Sequence, residues 1–250
     1  MPDPDVDNRL KEEVSGFADE LSGLLTAVFP GLSAEFSAVA ATGESTLVLI
    51  EQMPRDGLLL CVDGQPLLSL SATYRCAWDH AGEYLAIHES TIAVALVGSE
   101  EPLFRYDFNR TGDGKVPGAH LNVHGHRDEL VFALIQSGRR QRGKSRAYSM
   151  EKGKIPRLAN LHLPLGGPRF RPSLEDVVEI VVREFGLDTT DDWERAIQEG
   201  RARWRAKQLS AAVRDDPETA AVALRQLGYE VTWSAGKAPP ARRDKRVLAI

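Results

Sequence analysis

Phe104-Arg105-Tyr106-Asp107-Phe108-Asn109, a turn-rich connection, and then His120-Leu121-Asn122-Val123-His124-Gly125-His126 form the stretch on which the reading of this chain turns. Alternate side chains of an extended strand point to opposite faces. Phe104, Tyr106 and Phe108 therefore share one face, and Arg105, Asp107 and Asn109 share the other. In the second run Leu121 and Val123 share a face, opposite His120, Asn122, His124 and His126. Paired as a hairpin, the two runs make a sheet with one apolar face and one crowded with Arg, Asp, Asn and His. Three of the six histidines in the chain fall between positions 120 and 126. The connection 110–119 carries Gly112, Gly114, Pro117 and Gly118 and is long for a hairpin, as loops beside functional clusters often are.

Upstream, the pattern predicts short strands at Thr46–Glu51, Gly57–Val62, Leu67–Trp78, Glu83–Val97 (with a break near Glu89-Ser90) and Leu103–Asn109, separated by turn residues such as Asp63-Gly64. Strands so spaced make an antiparallel meander, expected here as a curved sheet or partly open barrel. Before it, Leu10, Val14, Phe17, Leu21, Leu24 and Val28 recur at spacings of three and four, an amphipathic helix over 7–28 that Pro30-Gly31 ends. Residues 1–6 read as disordered.

Downstream of His126 the period becomes helical. Asp128 opens one helix, which Gly138 closes, and a loop-like basic stretch follows. Leu161–Leu165 reads as a short strand. Ser173 and Asp176 form a capping box for a helix that ends at Gly186. A further helix runs from Thr190 or Asp191 to about Arg214 with Trp193, Ile197 and Trp204 on one stripe. A last helix starts at Asp216-Pro217, turns Ala220, Ala221, Leu224 and Leu227 inward, and ends at Gly228. Tyr229–Trp233 reads as an edge strand. The expected fold class is α+β: an N-terminal helix and antiparallel β domain over 7–127, a basic segment and helical region over 128–233, and a disordered tail over 234–250.

Charge is segregated along the chain. From Arg139 to Arg171 there are ten basic residues and one acid, so this segment carries +9 within a chain of net charge −5. Such a segment suits a polyanion or an acidic protein partner. Cys61 and Cys76 lie in apolar strand-like runs and read as buried reduced thiols, a cytoplasmic pattern. No apolar run reaches the roughly 18 residues of a membrane helix. The acidic start Met1–Asp5 lacks the apolar region of a secretory signal. Phosphate-binding Gly-Lys loops, dinucleotide fingerprints, Gly-x-Ser-x-Gly elbows and His-Glu-x-x-His motifs are absent, which argues against the common nucleotide, flavin and hydrolase classes.

Three chemistries fit the histidine run. Acid–base cleavage of RNA needs a base, an acid and a cation beside the phosphorane. His120 and His124 with Arg105 and Asp107 supply candidate catalytic groups. Asn109, Asn122, Arg139, Arg140, Arg142, Lys144 and Arg146 are the candidates for holding the substrate, with a salt-dependent grip on phosphates. A metal site would use His120, His124 and His126, with Asp107 adding an oxygen. Gly118–His126 fits the opening of the cupin pattern, although Glu129 follows after two residues rather than three or four. In the third arrangement Arg105 and Asp107 simply pair on a structural sheet face. The residues assign no cofactor.

Arg105-Tyr106-Asp107 followed by a His-rich strand also resembles a family of small bacterial proteins associated with toxin–antitoxin modules. There an Arg-Tyr-Asp run follows an antiparallel meander and precedes closely spaced histidines. The resemblance covers residues 66–126. It implies a toxin-like or defence-type nuclease, with Arg105, Asp107, His120 and His124 in its site and an antitoxin as partner. The expected function is therefore action on nucleic acid, chiefly RNA, as a metal-independent ribonuclease. The alternative is a non-catalytic binding protein whose basic segment docks nucleic acid or an acidic protein.

Overall fold

The apolar residues of Gln65–Trp78 alternate, and in the computed structural model that run is the spine of the sheet. The structure describes residues 4–40, 47–79, 82, 84–110, 116–125, 142–155, 157, 163–165, 169–236 and 238–248. Its strands are β1 (Glu35–Ala40), β2 (Val48–Met53), β3 (Leu58–Val62), β4 (Gln65–Trp78), β5 (Leu85–Leu96), β6 (Pro102–Asn109), β7 (Ala119–Val123) and β8 (Leu163–Pro164). They pair antiparallel in the order β1-β2-β4-β5-β6-β7-β8, with β3 beside β2 on the same edge of β4. The path has two free ends, so the sheet is open and not a closed barrel. The break anticipated near Glu89 is a bulge. Arg75 pairs with Glu89 and Cys76 with Ile87, leaving His88 as the extra residue.

Described helices are α1 (Pro4–Val28), α2 (Arg142–Glu151), α3 (Leu174–Phe185), α4 (Trp193–Asp215), α5 (Pro217–Gln226) and α6 (Asp244–Val247). None is long and apolar enough to cross a membrane. One side of α1, through Val14, Ala18, Leu25 and Val28, meets Leu68, Leu70 and Ala72 of β4 and Ile92 and Val94 of β5 in a single core. That core also takes in Leu174, Val177, Val178 and Val181 of α3 and Ile197 of α4. Residues on both sides of position 127 therefore share it. Ser173 caps α3 through the expected capping box, and Gly186 ends it in the left-handed conformation (φ 63°).

The β3–β4 turn is tied down from far along the chain. Asp63 (φ 50°) and Gly64 (φ 73°) are both left-handed, as a tight two-residue hairpin requires. Their amides donate to the carboxylate of Asp188 at 2.9 and 2.7 Å, while the Asp188 amide donates to the Cys61 carbonyl at 2.8 Å.

Several sequence expectations are corrected. Helix α1 begins at Pro4, so residues 4–6 are ordered into its first turn. The basic stretch is helical over 142–151, because the helix formers Lys144, Arg146, Ala147, Met150 and Glu151 lie between breakers and the positive φ comes only at Gly153. Tyr229–Trp233 forms no strand. Instead the Tyr229 amide bonds back to Leu224, and Arg225 donates to the Val231 carbonyl at 3.1 Å. Helix α5 buries none of its residues, and Leu227 is 75% exposed rather than inward. Within the tail, 244–247 is helical and docked on the end of α4. Cys61 is half-buried rather than buried. The helix anticipated over 128–138, together with His80 and His162, lies outside the described residues.

Both thiols are free, but they differ in surroundings. Burial pushes the Cys76 thiol up to about 12. A raised thiol pKa leaves almost no thiolate at neutral or mildly alkaline pH. Iodoacetamide at pH 8 is thus expected to label Cys61 in the native protein and spare Cys76, with both labelled in urea. Mass spectrometry of the two peptides reads the outcome, and equal native labelling would contradict this packing.

Candidate functional site

Strands β6 and β7 do pair, with Arg105 opposite Asn122, Tyr106 opposite Leu121 and Asp107 opposite His120, so the two faces fall as the alternation implies. Phe104, Tyr106 and Phe108 lie in register with Val94, Ile92 and Ser90 of β5, so they share the helix-covered face. Arg105, Asp107, His120 and Asn122 occupy the other face.

Asp107 is the centre of that polar face. One carboxylate oxygen accepts from Thr91 Oγ1 at 2.9 Å. The other accepts from Arg105 Nε at 2.7 Å and from Asn122 Nδ2 at 2.8 Å. His120 Nε2 stands 3.6 Å from the same oxygen. His120 Nδ1 lies 2.8 Å from the Pro117 carbonyl. A carbonyl can only accept, so Nδ1 carries the hydrogen and Nε2 is the nitrogen turned to Asp107. Asn122 is 1% exposed and His120 7%. The carboxylate thus ties together β5, β6 and β7 through three hydrogen bonds.

The other sequence candidates are dispersed. His124 Nδ1 sits 3.0 Å from Glu101, and Asn109 donates to Glu89 at 3.4 Å. Arg142, Lys144 and Arg146 lie on α2, and their side chains are outside the described residues, as are Arg139, Arg140 and His126. Among the described residues, no group of three His, Cys, Asp or Glu side chains could hold a metal ion.

A second constellation lies on the helix-covered side of the sheet. A cleft of about 610 Å³ opens between α1, the start of β5 and α4, a volume typical of small-molecule sites. Phe17, Leu85, Phe108 and Trp204 give it apolar walls. Arg110 follows β6, Arg169 and Arg171 precede α3, and Arg246 comes from α6; all four line it. Lys207 and Arg214 join them, and Glu12, Glu13 and Glu20 of α1 form an acidic rim. Glu20 is held by Lys207 at 2.8 Å.

Arg171 lies against two aromatic rings. Its guanidinium carbon lies 3.9 Å from the Phe108 ring centre and 4.9 Å from that of Trp204. Cation–π contacts are worth about 2 kcal/mol where water is excluded. Part of Arg171 remains open to the cleft, yet protein surrounds its charge. Burial, then the neighbouring charge of Arg169 and further that of Arg110, push its pKa down to about 9, which leaves it charged at neutral pH. Arg246 is also shifted down, by burial first and then by Arg110. The carboxylate set among these cations is Asp215, 3% exposed, which accepts two bonds from Arg169 at 2.6 and 2.8 Å. Guanidinium groups held close together and partly desolvated are stabilised by an anion between them.

This cleft escaped the sequence reading. Trp204 shares a predicted stripe with Trp193 and Ile197, yet it lines the cleft. Arg169 and Arg171 are the last two members of the basic segment. Arg110 and Arg246 carry no local signal, because 136 residues separate them and only the tertiary fold brings them to one place.

Loss of the Asp107 carboxylate leaves the buried donor of Asn122 and the charge of Arg105 without it. Asp107→Ala is expected to lower stability by about 2–4 kcal/mol, and Thr91→Ala by about 1 kcal/mol, in urea denaturation. A neutral Asp107→Ala would show that this network does not hold the three strands together. Compared with protein-family models, curated proteins and solved structures, the chain matches none.

Proposed function

We propose that this chain is a binding protein for a phosphorylated nucleoside, free or at the end of a nucleic-acid strand, with the phosphate among the cleft arginines. The observation that carries this reading is Arg171 clamped between Phe108 and Trp204 in a cleft it shares with Arg110, Arg169 and Arg246. Phosphate oxygens accept several charge-assisted bonds at once, and guanidinium forks match them in geometry. Phe17, Leu85 and Trp204 offer a base- or sugar-sized body an apolar wall. The basic stretch over 142–157 would add a salt-dependent grip on a longer strand.

Titration of the protein with pyrophosphate, mononucleotides and short RNA, followed by Trp fluorescence and calorimetry, tests this. All three are expected to bind and to compete with one another. Arg110→Glu, which disturbs no described ion pair, is expected to weaken each by at least about tenfold. Mononucleotide binding without RNA binding would assign a free nucleotide. RNA binding that mononucleotides cannot displace would move the interface out of the cleft. Absence of binding by all three would sink the reading.

A second reading, toxin-like RNA cleavage at the hairpin, draws support from the His120–Asp107 approach of 3.6 Å beside Arg105. It predicts cleavage of cellular RNA by the purified protein that persists in EDTA and is lost in the His120→Ala/His124→Ala double variant. Failure of the wild type to cleave RNA removes it, whereas EDTA-sensitive cleavage would point instead to a metal ion.

A further inference from the structure

Every described residue from 232 to 248 is exposed except one, Arg246, which is half-buried because its side chain reaches the cleft. The segment is held by polar contacts. The Arg243 amide donates to the Asp215 carbonyl at 2.8 Å. The Arg243 and Arg242 guanidiniums stand 3.8 and 3.7 Å from Asp215 and Asp216. Helix α6 buries no residue, and Leu248 is 69% exposed. Docking therefore gains little from apolar burial, and long ion pairs from half-exposed arginines contribute little either.

Docking also inserts Arg246 beside Arg110 and Arg169, whose charges oppose its own. Asp215 offsets part of that repulsion, with its Oδ2 already accepting both bonds from Arg169 and its Oδ1 buried without a hydrogen-bond partner. A phosphate among the three arginines would convert the repulsion into attraction. It would bind more tightly with the segment in place, and the segment would dock more tightly with the phosphate bound. Linkage makes the two effects equal.

We infer that residues 238–248 form an anion-locked clasp: a C-terminal wall of the cleft that supplies Arg246 and is held shut by the phosphate group it helps to bind. This rests on the cleft being the phosphate site. The clasp is the part of the site that opens for entry and release, because α1, α4 and the sheet are fixed by the common core.

The test uses the full-length protein, with pyrophosphate as probe at matched ionic strength. Amide exchange of peptides covering 238–248 is expected to slow by about tenfold on pyrophosphate binding, within the usual range of coupling between linked sites. Arg246→Ala is expected to weaken pyrophosphate by a similar factor and to abolish that protection, and Arg246→Lys to restore part of both. Circular dichroism checks that the variants fold. If the wild type binds pyrophosphate while exchange of 238–248 and the affinity of Arg246→Ala stay unchanged, the clasp is overturned and the cleft reading stands. If the wild type binds no pyrophosphate the clasp falls, and if it binds neither mononucleotides nor RNA either, the cleft reading falls with it.

Discussion

Burial of one face of β4 and β5 beneath α1 and α3 is the constraint on which the rest of the molecule depends. Leu68, Leu70, Ala72, Tyr74 and Cys76 all point to that face, and the pairing register carries the same orientation to Ile92 and Val94 and on to Phe104, Tyr106 and Phe108. A slip of one residue would turn each of these toward the opposite face. The same register places Thr91, Arg105, Asp107, His120 and Asn122 together on the far side. The polar network and the cleft are thus consequences of one alternation, seen from its two faces.

The two faces use charge differently. On the far side Asp107 gathers donors from its own strand and from the two beside it, while the buried Oδ1 of Asn122 is left without a hydrogen-bond partner. Beneath the helices, cations from four distant segments converge with one buried carboxylate among them. A network that ties donors from three strands to one carboxylate is suited to holding those strands in place. A converging set of like charges is suited to meeting something from outside. This contrast is why the cleft, rather than the histidine strand, carries the functional reading.

Local signals in the sequence were read well. The alternation of Leu67–Trp78, the stripe of α1, the Ser173/Asp176 cap and the two faces of 103–109 and of the histidine strand all follow from periods and caps spanning a few residues, whereas the pairing of those two strands does not. Other features are decided by tertiary contacts that no local pattern encodes. Polar composition at 142–151 suggested a loop, although its residues favour a helix between flanking glycines. The apolar side of α5 suggested an inward face, but no element covers Leu227. The tail looked free because it has few apolar residues, and its contacts with α4 are polar. The cleft needed Arg110, Arg171, Trp204 and Arg246 in one place, and no period links those positions.

The shared core also has a consequence for how the protein is made. Strand β6 is complete at Asn109, but the last buried residues of α3 lie more than seventy positions further on. At about 5–20 residues per second, a ribosome needs roughly 4 to 15 seconds to cover that interval. Throughout it, α1 is the one described helix of the shared core available to shield the apolar sheet face. Asp188, which fastens the β3–β4 turn, emerges later still. A nascent chain of this design spends its first seconds with a sticky, half-roofed sheet, which is the kind of intermediate that chaperones bind and that aggregates at high expression.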